Sequence, residues 1–189
     1  MSRRGTLILV VGPSGAGKDS IIAGAAGRFR GEPRLVCARR VITRPAATDG
    51  ENHTAVSPAE FAAQRDRGGL MMHWRAHGLD YGLPAELAVA LAAGRSVVAN
   101  VSRTVVAEAR DRFPPVIVVA ISASAELRAR RLAARAREDA AGIEGRLWRV
   151  AVISPDHVDV VIDNDGALDA AIQRFAEVLR STLDQPASA

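Results

Sequence analysis

The segment Gly12-Pro13-Ser14-Gly15-Ala16-Gly17-Lys18-Asp19-Ser20 carries the residue types and spacing of a phosphate-binding loop. Glycine at 12, 15 and 17 lets the backbone wrap closely enough for its N–H groups to face phosphate oxygens, and Lys18 can reach the outer phosphates of a nucleotide. Lys18 is the only lysine; the other 24 strong bases are arginines. A compact, flexible ammonium suits a phosphate site better than a planar guanidinium, so the lone lysine sets this loop apart. Asp19 stands where serine or threonine normally contacts magnesium, with Ser20 next to it. Neither core strand ending at Asn100 or Ile121 is followed by the acid that often helps hold that ion. Asp19 is therefore the candidate Mg2+ ligand, directly or through water.

The loop needs a strand before it and a helix after it. Thr6 to Val11 is an apolar, β-branched run that reads as the strand, and a helix is expected from Lys18 to about Phe29, its positive dipole end on the loop. Leu35 to Ala38 reads as a strand. Ser57-Pro58-Ala59-Glu60 is a capping box that starts a helix running to about Arg67, with Gly68-Gly69 ending it. Leu70 to Ala76 and Leu79 to Gly82 read as short strands around His77-Gly78, so residues 36–83 interrupt the strand–helix alternation as an inserted lobe. The alternation resumes with a helix over Pro84 to Ala93, a strand over Ser96 to Asn100 and a helix over Thr104 to Arg112. The strand Val116 to Ile121 leads to an arginine-rich helix capped by Ser124 and running to about Arg137. A helix over Ile143 to Val152, a strand over Val158 to Ile162 and a closing helix over Leu168 to Leu183 complete the chain. Continuous apolar strands alternating with helices imply an α/β fold, a parallel sheet with helices on both faces and its ligand at the carboxyl ends of the strands.

At 189 residues the chain fits one domain, and its 48% hydrophobic and 24% charged content is that of an ordinary globular protein. The net charge of +4 raises a nucleic-acid partner, but aromatic residues are only 4% and no basic block stands apart from the expected helices. An anionic small molecule accounts for the excess equally well. The single cysteine, Cys37, excludes an internal disulfide and is expected to be a buried small residue. No segment approaches a membrane span, and the first apolar run is too short for a signal-peptide core, so the expected location is cytoplasmic. The sequence leaves a homodimer open.

With these pieces in order the chain resembles the guanylate kinase group of P-loop phosphotransferases, and within it the ribose 1,5-bisphosphate phosphokinase branch associated with phosphonate breakdown. The resemblance runs from Thr6 to Leu183. It rests on the phosphate loop, Thr43-Arg44-Pro45 with Gly50-Glu51, Tyr81-Gly82, Arg131-Leu132-Ala133-Ala134-Arg135, Arg146 and Asn164-Asp165. It implies that the 36–83 lobe holds the phosphate acceptor and that a lid over 131–146 closes on ATP. Guanylate kinases read guanine with two carboxylates. Here the first falls within Met71-Met72-His73-Trp74, which has no acid, and the second falls at Asn100-Val101-Ser102. A serine and a tyrosine that contact acceptor phosphate in that group become Arg40 and His53, while a second phosphate-binding arginine falls among Ala46 and Ala47 and is missing. Base-reading acids are gone and phosphate-reading bases have arrived.

The expected reaction moves the γ-phosphoryl group of ATP, with Mg2+, onto ribose 1,5-bisphosphate to give 5-phosphoribosyl 1-diphosphate and ADP. Lys18 and the lid residues Arg131, Arg135 and Arg146 are the expected catalytic group; Arg131 and Arg135, four apart, share a helix face. Residues 12–20 and Asn164 would bind ATP, and Arg40, Arg44, His53, Tyr81 and Arg103 the phosphorylated ribose. Arg128, Arg130 and Arg137 read as a solvated face. His73, Trp74 and His77 read as a cluster for packing or polar substrate contacts. Two other readings compete: a nucleoside monophosphate kinase with a rebuilt base pocket, and a non-catalytic interaction module of the same fold.

Overall fold

The computed structural model describes residues 4–44, 53–134 and 157–184. Its main sheet contains β1 (Leu7–Val11), β2 (Leu35–Cys37), β7 (Ser96–Asn100), β8 (Val116–Ser122) and β9 (Val160–Asp163), in the order β2-β7-β1-β8-β9, every pair parallel. β1 lies at the centre, and all five of its residues are fully buried. Alternation along the strand explains why both faces must be covered. Ile8 and Val10 pack with Ile21 and Ala25 of α1 (Lys18–Arg28) and with Phe175 and Leu179 of α6 (Leu168–Asp184). Leu7, Leu9 and Val11 face Leu87 and Leu91 of α3 (Glu86–Ala92) and Val106 and Ala109 of α4 (Val106–Arg112). Each of these large side chains contributes about 1.5–3 kcal/mol by leaving water, which makes β1 the least replaceable strand.

A second sheet, ordered β4-β3-β6-β5, is built from β3 (Arg40–Ile42), β4 (His53–Ala55), β5 (Leu70–Ala76) and β6 (Leu79–Pro84). β5 and β6 form a hairpin whose turn, His77-Gly78, has both residues at positive φ, 53° and 74°, as a tight two-residue connection demands. Met72, Trp74, Tyr81 and Leu83 from its inner face join the same core layer as Leu9 and Leu87, so the two sheets share one apolar layer. Along β5, Trp74 is buried and His73 is exposed, so the expected His73–Trp74 cluster does not form: neighbouring residues of a strand point to opposite faces.

Three further expectations change. Pro84 does not open a helix; it closes β6 opposite Leu70, and α3 begins at Glu86. Arg103–Val105 forms a 3-10 turn ahead of α4, capped by the Ser102 side chain. Cys37 is exposed rather than buried, because β2 is a three-residue strand that, among the described residues, pairs with β7 alone and lies at the sheet edge. Neighbouring atoms still desolvate its thiol enough to push its pKa up, so it is a weak nucleophile. The arginine-rich helix appears as α5 (Ala125–Ala134); Arg135, Arg137, Arg146, the expected helix over Ile143 to Val152 and most of the 131–146 lid lie outside the described residues. Among the described residues no helix is long and apolar enough to cross a membrane.

The capping box forms as the sequence predicts. α2 (Pro58–Asp66) starts with the Ser57 hydroxyl accepting from the Glu60 N–H at 3.2 Å, while Glu60 Oε2 accepts from the Ser57 N–H at 2.7 Å. The Ser57 N–H and then the Ser57 hydroxyl, both donating to Glu60 Oε2, hold the Glu60 carboxyl below its usual pKa. A lowered acid pKa means the contribution is complete above the ordinary carboxylate range and fades as pH falls through the lowered value. Replacing Ser57 with alanine should lower unfolding free energy by about 1 kcal/mol at neutral pH, read from urea denaturation. The difference from wild type should shrink in acid.

Candidate active site

The phosphate loop joins the carboxyl end of β1 to α1, and its shape is forced by its neighbours. Gly12 has φ 146°, and a Cβ there would lie 2.3 Å from the Ile121 carbonyl oxygen of β8. Gly17 has φ 90°, caps α1 with no side-chain hydrogen bond, and would place a Cβ 2.5 Å from Asn164 Nδ2. Only glycine satisfies both the backbone angle and the space at these positions. The first-turn N–H groups of α1 therefore stay clear of any side-chain cap and point from the helix's positive end, the arrangement that receives phosphate. The ammonium of Lys18 folds back to donate to the carbonyls of Gly12 at 2.8 Å and Pro13 at 2.9 Å.

Behind the loop, Asn164 follows β9 and is 1% exposed; its Nδ2 donates to the Ala16 carbonyl at 2.8 Å. Arg131 on α5 donates to the Asn164 carbonyl at 2.9 Å through Nη2. Arg131 and Asn164 are thus brought together against Ala16 and Gly17. Asp165 holds the next turn, accepting from the Ser124 N–H at 2.6 Å.

In front of the loop, Asp19 Oδ1 accepts from Asn100 Nδ2 at 2.7 Å and lies 3.4 Å from Arg40 Nη2. Asn100 ends β7 and is buried, so its amide is committed to Asp19. Arg40 lies over the Tyr81 ring at 6.0 Å, and Tyr81 stacks on Trp74 with ring centroids 5.6 Å apart and planes 7° from parallel. One chain of contacts, Asn100–Asp19–Arg40–Tyr81–Trp74, runs from the main sheet through α1 to the second sheet. Ser14 and Ser20 flank the loop at its tip and on the first turn of α1, with Ser20 exposed. His53 lies in register with Arg40 on the adjacent strand, its carbonyl accepting from Arg39 at 3.0 Å. Arg44, two residues beyond β3, lines a groove with Thr43, Ala55, Val56, Ser57, Pro58 and Glu60. Arg103 opens the 3-10 turn after β7.

Among the described residues no group of three His, Cys, Asp or Glu could cage a metal. The donor set still fits magnesium, which keeps waters and binds through one or two protein oxygens plus substrate phosphates. Asp19 supplies such an oxygen, since Oδ2 makes no hydrogen bond to a described residue and the side chain is half exposed.

Two residues that border the loop escape a reading of residue types. Asn100 registers in sequence only as a missing acid, and the structure makes it the partner of Asp19. Arg128 was expected on a solvated face and is instead 3% exposed. Its position, three residues before Arg131, was the available signal, because that spacing puts both on one helix face. Arg130 does face solvent, paired with Glu126.

No protein-family model matches the chain. Curated relatives do. The ribose 1,5-bisphosphate phosphokinase PhnN of Acidiphilium cryptum is 47% identical over 186 residues, which is 98% of this chain and 98% of the relative. The protein of that name from Rhodopseudomonas palustris is 44% identical over 182 residues, 96% and 92% of the two chains. The chain belongs to the ribose 1,5-bisphosphate phosphokinase family. The bifunctional ribose 1,5-bisphosphokinase-thymidine phosphorylase of Cupriavidus necator is 45% identical over 194 residues, all of this chain but 32% of the relative. The chain therefore spans about a quarter to a third of the length of the bifunctional relatives it matches. A guanylate kinase from Anaplasma phagocytophilum superposes with TM-score 0.72 at 20% identity, covering 98% of this chain and 90% of that one. A sugar kinase from Janibacter superposes with TM-score 0.54 at 19% identity, with 95% of each chain covered. These two likenesses show the shared kinase fold.

Gly17→Ala tests the loop. A left-handed backbone costs a residue with a Cβ about 1–2 kcal/mol, and here the new methyl also meets the Asn164 amide. Thermal unfolding should shift down, and ATP affinity measured by calorimetry should fall about tenfold or more.

Proposed function

We propose that the chain catalyses ATP-dependent phosphorylation of ribose 1,5-bisphosphate, giving 5-phosphoribosyl 1-diphosphate and ADP. The observation that carries this is identity of 41–48% to several curated ribose 1,5-bisphosphate phosphokinases over nearly the whole of both chains. The site supports it from a separate direction. Asn100 offers an amide and is tied to Asp19, and β5 contributes no acid, so guanine donors would be left unpaired at about 1–3 kcal/mol each.

The second sheet, from Arg40 to Pro84, would form the acceptor lobe. Arg40 and Tyr81 would receive one end of the sugar bisphosphate, with Arg44, His53 and Arg103 as further phosphate contacts. The nucleophile is an oxygen of the 1-phosphate, already ionised near neutral pH, so no general base is needed. That oxygen forms a bond to the γ-phosphorus as the bond from the γ-phosphorus to the bridging oxygen breaks, and ADP leaves with the bridging electrons. The residues contribute alignment and charge neutralisation. Loop amides and Lys18 would hold the outer phosphates. Arg131, with Arg135 and Arg146 from the lid segment, would neutralise charge on the transferring group. Asp19 would hold magnesium, which supplies positive charge to the β- and γ-phosphates when bound with ATP.

ADP release should be measured with Mg-ATP and either ribose 1,5-bisphosphate or GMP. The sugar bisphosphate should exceed GMP in kcat/KM by about 100-fold or more, two unpaired groups being at stake. A preference for GMP would make the chain a guanylate kinase with a rebuilt base pocket, and turnover of neither would favour an interaction module. In a second measurement, Asp19→Ser should raise the magnesium concentration needed for half-maximal turnover; an unchanged requirement would remove Asp19 from the metal site.

A further inference from the structure

Arg128 occupies a place that ordinary packing does not explain. The residue is 3% exposed, its Nε donates to the Ala123 carbonyl at 3.3 Å, and its buried Nη1 has no hydrogen-bond partner among the described residues. It makes no ion pair with a described carboxylate, unlike Arg130 two residues on. A guanidinium does not lose its proton at accessible pH, so this charge stays buried with one neutral acceptor. Such an arrangement opposes folding unless something else completes it.

Its neighbours indicate what completes it. A Cβ on Gly15 would lie 2.9 Å from the Arg128 carbonyl oxygen and 3.2 Å from its Cα, so α5 packs directly on the phosphate loop at this residue. One turn later, Arg131 brings Nη1, also buried and without a partner, to 3.8 Å from the equivalent point at Gly17. The third such atom is Asn164 Oδ1. Two arginines that each carry an unsatisfied buried donor, and an asparagine that carries an unsatisfied buried acceptor, therefore border the same loop. A ligand with several acceptor atoms beside one or more donors would answer all three, and a nucleoside triphosphate is that kind of ligand.

We propose that Arg128 is a donor-nucleotide-binding residue whose Nη1 takes a hydrogen bond acceptor of ATP, either a phosphate oxygen or a ring nitrogen of adenine. The proposal rests on ATP as phosphoryl donor and is independent of the acceptor's identity. It separates the demands of folding from those of binding. Replacing the buried, half-paired guanidinium with leucine removes a desolvated charge while keeping an apolar stem of similar burial.

Calorimetric titration of wild type, Arg128→Leu and Arg128→Lys with ATP, AMP and tripolyphosphate tests this, alongside thermal unfolding without ligand. Arg128→Leu should unfold at or above the wild-type temperature yet bind ATP about tenfold or more weakly, as loss of a charge-assisted bond implies. Arg128→Lys should fall between. Weakening that extends to tripolyphosphate assigns the contact to phosphate, and weakening confined to AMP and ATP assigns it to the base. An ATP affinity within twofold of wild type in Arg128→Leu overturns the proposal, and so does a clear drop in its ligand-free unfolding temperature, which would make Arg128 a structural residue. A wild type that fails to bind ATP overturns the donor assignment along with it.

Discussion

The tightest constraint in the molecule is the space around the phosphate loop. The Ile121 carbonyl presses on Gly12, α5 presses on Gly15, and the Asn164 amide stands where a side chain at Gly17 would begin. The loop is clamped between the ends of β8 and β9 and the side of α5, with β1 fixing its start. Sheet order makes this possible: β1 at the centre, with β8 and β9 in sequence on one side, gathers three strand ends around one turn. A rigid loop keeps its N–H groups aimed without reorganisation when a polyanion arrives, which is how backbone dipoles become effective in phosphoryl transfer.

From that clamp the electrostatics follow. Lys18, Arg131 and Arg128 converge behind and within the loop, and Arg40 approaches from the second sheet. Asp19, on the first turn of α1, meets Arg40 from the loop's side. Gathering positive charge at the carboxyl ends of the strands lets a chain of modest net charge, +4, attract a polyanion to one place.

Much of this was legible in the chain itself. The core strands declared themselves by unbroken apolar runs, and β7 matches its expected span, Ser96–Asn100, residue for residue. The α2 capping box, the hairpin at His77-Gly78 and the parallel main sheet were equally plain, because local chemistry decides each of them. What escaped depends on tertiary context. Cys37 was expected to be buried because its segment is apolar, but position at a sheet edge decides exposure. Residue type alone puts Arg128 in solvent, and only the packing of α5 on Gly15 reverses that. Asn100 meets Asp19 across a separation of 81 residues, and no local pattern announces such a contact.

The Asn100–Asp19 hydrogen bond also bears on how this site could change over time. Its carboxylate sits on the first turn of α1 and its amide on the strand end. Moving the acid to the strand requires alteration at both positions, and each single step is unfavourable. An acid at 100 beside Asp19 would set two negative charges in contact, and a hydroxyl at 19 would deprive the buried Asn100 amide of its charged acceptor. The two residues form an epistatic lock: drift at either is opposed while the other stays, so this polarity tends to persist once established in a lineage.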